Sequence, residues 1–161
     1  MVLIDSKRIF IFPFLLLVIG LASIIFYQEY QKYRDKNIIT IFTRAGLVKI
    51  KAEYAETQEK REKGLMGKES LPENSGMIFV FSDEKNRSFW MKDILIPLDL
   101  IFIASNGRIN EIVTLEPCLN QVSTCPIYDS QNPARFVVEV NAGFARKSNI
   151  IDGDILEISG F

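Results

Sequence analysis

Three charged side chains and one indole stand where strands should be apolar. Trp90 and Lys92 lie in Ser88-Phe89-Trp90-Met91-Lys92, Asp99 in Ile96-Pro97-Leu98-Asp99-Leu100-Ile101-Phe102, and Glu139 in Val138-Glu139-Val140. In an extended strand Trp90 and Lys92 point to one side while Phe89 and Met91 point to the other. An accessible indole beside an ammonium could stack on a sugar ring or another flat ligand while the charge meets a polar group on it. The blander and favoured reading makes Trp90 a core anchor past which Lys92 snorkels. Asp99 sits in an apolar run, where a carboxylate is costly unless paired or hydrogen-bonded. It either accepts backbone amides as a turn cap or belongs to a site. Lys92 is the nearest base in sequence, so a hairpin that sets Lys92 opposite Asp99 is expected to form an ion pair beside the indole. Glu139 shares a strand face with Arg135, which favours an ion pair between them. The enzymatic alternative uses Asp99 and Glu139 as two carboxylates for acid/base work on a glycan. The sequence does not give their separation, and whether the protein is an enzyme stays open.

Other chemistry is excluded more firmly. Histidine is absent from the 161 residues, which removes Ser-His-Asp and Cys-His nucleophile systems and imidazole-dependent zinc sites. Two cysteines and scattered carboxylates make no recognised metal-ligand spacing, so neither a metal nor another cofactor is expected. Nineteen Lys and Arg against twenty Asp and Glu give a net charge of −1, without the positive excess that nucleic-acid binding needs.

These residues need a scaffold, and the pattern for one is visible. Val48, Ile50, Ala52 and Tyr54 alternate with Lys49, Lys51 and Glu53, which predicts a half-buried strand. Residues 38–42 make its partner across an Arg44-Ala45-Gly46 turn. Thr57 to Gly64 has an N-cap type, an early acid, late bases and a closing glycine, the signature of a short helix. Further strands are expected at residues 77–81, 88–92, 98–103, 108–115, 135–140 and 155–158, with Asn106-Gly107 as a hairpin turn. A short helix is expected near residues 142–147. Residues 116–134 carry three prolines and no sustained period, a long connection to leave without structure. Cys118 and Cys125 both lie in it, and in an oxidising compartment they should bridge.

Ahead of this scaffold, residues 9–28 are twenty residues without a charge. At about 1.5 Å per residue they match a bilayer core of roughly 30 Å, so one transmembrane helix is expected. A cleaved signal peptide is the competing reading, with Gly20-Leu21-Ala22 as the cleavage pattern. The basic residues flanking the helix do not decide its orientation. Signal-anchor logic leaves the short amino terminus in the cytoplasm and sends the remainder across. Residues 1–36 then form a membrane anchor and tether, and residues 37–161 a single domain. Of the nineteen bases and twenty acids, five and three precede residue 37, leaving fourteen and seventeen, a net −3, for that domain.

Gly64-Leu65-Met66, Gly76-Met77-Ile78-Phe79-Val80-Phe81, Phe89-Trp90-Met91-Lys92 with Ile96-Pro97-Leu98-Asp99, then Cys118, Cys125-Pro126-Ile127-Tyr128, Val138-Glu139-Val140-Asn141-Ala142-Gly143-Phe144 and Gly153-Asp154 resemble the bacterial and archaeal family called domain of unknown function 192. The resemblance runs from about Val48 to the end and implies a β-dominated domain, commonly behind an export signal or membrane anchor. It implies no established reaction. Relatives usually carry Asn-Thr after the Lys, where this chain has Asp93 and Ile94. The expected architecture is α+β and β-rich, a small barrel or folded antiparallel sheet with one or two short helices, preceded by one transmembrane helix. The expected function is that of a membrane-tethered module outside the cytoplasm that binds an envelope polymer, a small polar ligand or a partner protein. Its candidate ligand-binding residues are Trp90, Lys92, Asp93, Asp99 and Glu139. The alternative is a glycan-acting hydrolase or transferase using Asp99 and Glu139.

Overall fold

The computed structural model describes residues 6–35, 37–118 and 125–158, with side chains for residues 16–30, 37–118 and 125–158. The chain divides into two compact units, Met1–Lys36 and Asn37–Phe161. The first contains helix α1 (Ser6–Asp35), which runs on through the segment expected as a tether.

The expected transmembrane helix requires correction. Among the described residues no helix is long and apolar enough to cross a membrane. The side chains of residues 9–15 lie outside the described residues.

The second unit is β-rich, as expected. Its elements are β1 (Ile38–Thr43), β2 (Gly46–Ala55), α2 (Gln58–Lys63), β3 (Ser75–Lys85), β4 (Ser88–Trp90), β5 (Leu98–Ile103), β6 (Ile109–Leu115), β7 (Ile127–Asp129), β8 (Ala134–Asn141), α3 (Phe144–Lys147) and β9 (Ile155–Ile158). Seven strands form one sheet in the order β6-β5-β8-β3-β2-β1-β9, and β4 pairs with β7 in a second, two-stranded sheet. Among the described strands only β2 and β3 pair in parallel, and α2 lies in the crossover between them, as parallel pairing demands. The Thr57 hydroxyl accepts the Lys60 N–H at 3.3 Å and the Gly64 N–H closes on the Lys60 carbonyl at 2.9 Å, so the caps visible in the sequence bound the helix.

The sheet curls into a half-barrel. Ile109 N–H donates to the Asp154 carbonyl at 2.9 Å, and Leu156 N–H to the Gly107 carbonyl at 2.8 Å. These bonds bring the start of β9 against the β5–β6 hairpin. Gly107 has a φ of 83° in that turn, a conformation that favours glycine. Alternation splits the apolar residues between two faces. The concave face gathers side chains from all seven strands, Ile41, Ile50, Ile101, Val138 and Leu156 among them, and Phe144 of α3 packs with them. The outer face of β3, β5 and β8 carries a second core with Phe79, Leu100, Phe102 and Val137. The β4–β7 ribbon covers it. The Phe89 ring meets Phe79 and Phe102 edge to face, at 5.1 and 5.8 Å, a geometry that aromatic quadrupoles favour.

Candidate functional site

The ribbon decides where the indole goes. In the β4–β7 register Ser88 faces Asp129, Phe89 faces Tyr128 and Trp90 faces Ile127. Residues that face each other share a side. Phe89 and Tyr128 pack on the outer core, so Trp90 and Ile127 turn outward and are 47% and 63% exposed. Trp90 is therefore not the core anchor that the favoured sequence reading made it. The Lys92 ammonium lies 5.3 Å from the indole centroid, within cation–π range. At the other end of this face Ser88 Oγ donates to Asp129 Oδ1 at 2.5 Å. Cys118 bridges to the backbone of Lys92 and is joined to Cys125, with an S–S distance of 2.18 Å. The expected disulfide thus borders the exposed face. Residues 119–124 lie outside the described residues.

The expected hairpin between residues 88–92 and 98–103 does not form, because β4 pairs with β7 while β5 lies between β6 and β8. No Lys92–Asp99 ion pair exists among the described residues. Asp99 is buried and satisfied on both oxygens. Thr114 Oγ1 donates to Oδ1 at 2.7 Å, and the Ala145 N–H donates to Oδ2 at 3.0 Å. Gly143, at the N-cap of α3, has no side chain with which to cap it. Asp99 does so from β5, which is the turn-capping role that an acid in an apolar strand can fill.

Glu139 is on the other face. In the β5–β8 register Leu100 faces Glu139 while Asp99 faces Val140, so the carboxyl groups of Asp99 and Glu139 point to opposite sides of the sheet. They cannot act as an acid/base pair on one substrate. Glu139 is 5% exposed, stands between Met77 of β3 and Leu100 of β5, and its Oε2 has no hydrogen-bond partner among the described residues. Burial pushes its carboxyl up to about 8, so it is protonated at neutral pH. The expected Arg135 ion pair is absent: the Arg135 guanidinium lies 5.4 Å from the Phe136 ring centroid instead. Gly76 keeps β3 close at this point, since a Cβ there would lie 2.1 Å from the Glu139 carbonyl oxygen.

Asp93 is exposed and has a φ of 56°, a left-handed conformation that Asn and Asp tolerate best after Gly. Its carbonyl accepts the Gly67 N–H at 2.9 Å. Ile94, which follows it, is buried in the outer core.

Two buried charges escaped sequence reading. Arg87 donates from Nε to the Ala134 carbonyl at 2.9 Å and from Nη2 to Asp83 Oδ1 at 2.9 Å, and its guanidinium lies 3.8 Å from the Phe81 ring centroid. Glu111 accepts the Tyr128 hydroxyl and the amides of Gln131 and Asn132, the last two at 2.8 and 3.2 Å. The Tyr128 bond pushes the phenol up to about 12, and the two amide bonds tie β6 to the segment that follows β7. The signal was present for Glu111, which shares a strand face with Val113 and Leu115. Among the described residues no three His, Cys, Asp or Glu side chains cluster as a metal site.

Comparison places the chain among known structures. A Sinorhizobium meliloti 1021 protein described as a "putative transcription regulator" is 33% identical, with a TM-score of 0.67 over 77% of this chain and 94% of the other. A Novosphingobium aromaticivorans protein of unknown function is 30% identical, with a TM-score of 0.68 over 74% of this chain and 83% of the other. No curated protein matches the chain. The sequence profile of DUF192, "Uncharacterized ACR", matches residues 40–158, from the third residue of β1 to the last of β9, and the chain belongs to that family.

Proposed function

We propose that the Asn37–Phe161 unit is a non-enzymatic binding module that works in an oxidising compartment outside the cytoplasm and takes a cell-envelope glycan on the outer face of β4 and β7. The observation that carries this reading is the exposed Trp90 indole with the Lys92 ammonium 5.3 Å from its centroid. An exposed indole offers a flat apolar surface for a sugar ring, and the ammonium beside it suits an acidic or hydroxyl substituent. Ile127 extends the apolar surface and Asp129 with Ser88 supplies polar contacts. The Cys118–Cys125 bond supports the compartment, since disulfides persist where thiols are not kept reduced. The reading includes no nucleic-acid partner, because fourteen bases against seventeen acids after residue 36 oppose a phosphate backbone. The description of the Sinorhizobium protein is accordingly not carried over. The glycan-hydrolase alternative loses its support with the Asp99 and Glu139 carboxyl groups on opposite faces.

Retention of the purified full chain on cell-wall and polysaccharide preparations tests the reading. Wild-type protein is expected to be retained, and Trp90→Ala and Lys92→Ala proteins to pass through. Equal retention of all three, or of none, contradicts it.

A further inference from the structure

The outer core holds one group that hydrophobic packing does not explain. A buried carboxyl oxygen without a hydrogen bond is costly, and in native proteins such a group usually answers to a water, an ion or a chemical task. Glu139 Oε2 is that group. The core on its side of the sheet holds several thioethers. The chain has four methionines, and Met66, Met77 and Met91 all pack in this one core. Met77 faces Glu139 directly across β3 and β8, which sets their Cβ atoms roughly 5 Å apart on one side of the sheet.

Met66 and Met91 belong to the two segments that converge on the same end of the sheet. Residues 64–74 lead into β3, and residues 91–97 lead into β5, whose first residue, Leu98, faces Asn141, two positions beyond Glu139. The segments are tied to each other by the Gly67 N–H on the Asp93 carbonyl at 2.9 Å. The first is tied to β8 by Asn141 Nδ2 donating to the Leu71 carbonyl at 3.1 Å. Met77 and Met91 are buried while Met66 is half-buried, so Met66 marks the side open to solvent.

We infer that Met66, Met77, Met91 and Glu139 form a binding site for a soft monovalent cation of the Cu(I) class, with three thioethers and one carboxylate as donors. Thioether sulfur selects soft cations. The competing soft or borderline donors are missing, since the chain has no histidine and Cys118 and Cys125 are bonded to each other. The carboxyl completes the charge balance. A carboxylate among the three thioethers offsets the charge of the cation. Methionines acting only as gap-fillers would leave the acid at position 139 without a reason.

Ag(I) nitrate, a redox-inert probe of this class, tests the site in chloride-free buffer on full-length protein carrying 13C-methyl methionine. One equivalent is expected to shift the methyl signals of Met66, Met77 and Met91 and to leave that of Met1 unmoved. Cu(I) under anaerobic conditions should displace Ag(I), and Zn(II) should not. Glu139→Gln should keep the circular dichroism spectrum and bind at least about tenfold more weakly. Met91→Leu, which conserves volume, should weaken binding similarly and carries the test if Glu139→Gln fails to fold. Absence of saturable binding, saturation that leaves those three methyl signals in place, or unchanged affinity in both variants would overturn the site.

Discussion

Asp99 and Glu139 stand one step out of register on adjacent strands. Leu100 faces Glu139 and Asp99 faces Val140. Two acids that look like a catalytic pair in the sequence are thereby divided between the concave and outer faces, and each has its own environment. Asp99 accepts two hydrogen bonds and holds α3, whereas Glu139 has an oxygen with no donor among the described residues.

Asp99 is accordingly a structural acid. Asp99→Ala removes the acceptor for the Ala145 N–H and the Thr114 hydroxyl and should cost about 2–3 kcal/mol, the sum of a lost cap and a buried donor left unpaired. Chemical denaturation should show that loss, with retention on envelope glycan unchanged at temperatures where the variant is folded. A variant of wild-type stability would contradict the role.

Glu139 makes stability depend on pH. Its folded pKa is raised to about 8 from the ordinary 4.5. Between those values the unfolded chain has given up the proton that the folded chain retains, so folding takes up a proton. Stability therefore falls as pH rises through this window, by up to about 1.4 kcal/mol per unit, and levels off above it. Glu139→Gln should remove most of that slope. Urea midpoints at about pH 5, 7 and 9 in both proteins measure it, and parallel profiles would contradict the assignment.

At position 93 the backbone, rather than the carboxylate, is what matters. Asp93→Asn should leave stability within about 0.5 kcal/mol of wild type. Asp93→Val, with a β-branched side chain at a φ of 56°, should cost about 1–3 kcal/mol. Thermal melts of the two variants distinguish this from a role for the charge.

The disulfide should be present in native protein, with no thiol titratable before reduction. The bond spans a sequence separation of 7, and the loop-entropy model gives about 2.5 kcal/mol for so small a ring. Cys118→Ser should lose about that amount while the seven-stranded sheet stays folded. Two free thiols in protein taken directly from cells would contradict both the bond and the compartment.

Local chemistry made much of this fold legible before any coordinates. The alternation of Val48 to Tyr54, the caps at Thr57 and Gly64, the Asn106-Gly107 turn and the cysteine pair each act over a few residues, and each reappears in place. What stayed hidden was pairing at long range. β7 is three residues long, too short to show a period, and its pairing of Ser88 with Asp129 crosses a prolonged stretch that reads as loop. Without β7, strands adjacent in sequence were the natural partners. That assumption produced the Lys92–Asp99 pair, whereas the buried Trp90 followed from the general tendency of an indole to be a core anchor. The candidate residues could be picked out by type, but the face that Trp90 takes depended on a ribbon that the sequence does not announce.

Trp90 is the only tryptophan in the chain, so its emission reports directly on the surface proposed to bind ligand. Intrinsic fluorescence of the full chain, titrated with soluble envelope-glycan fragments, is expected to change saturably and shift to the blue as the half-exposed indole is covered. Lys92→Ala should weaken the midpoint by about tenfold, the order of one desolvated cation–π or polar contact. Emission that stays unchanged while the same fragments bind, or fragments that fail to bind at all, would contradict a glycan-binding role for the Trp90 and Lys92 face.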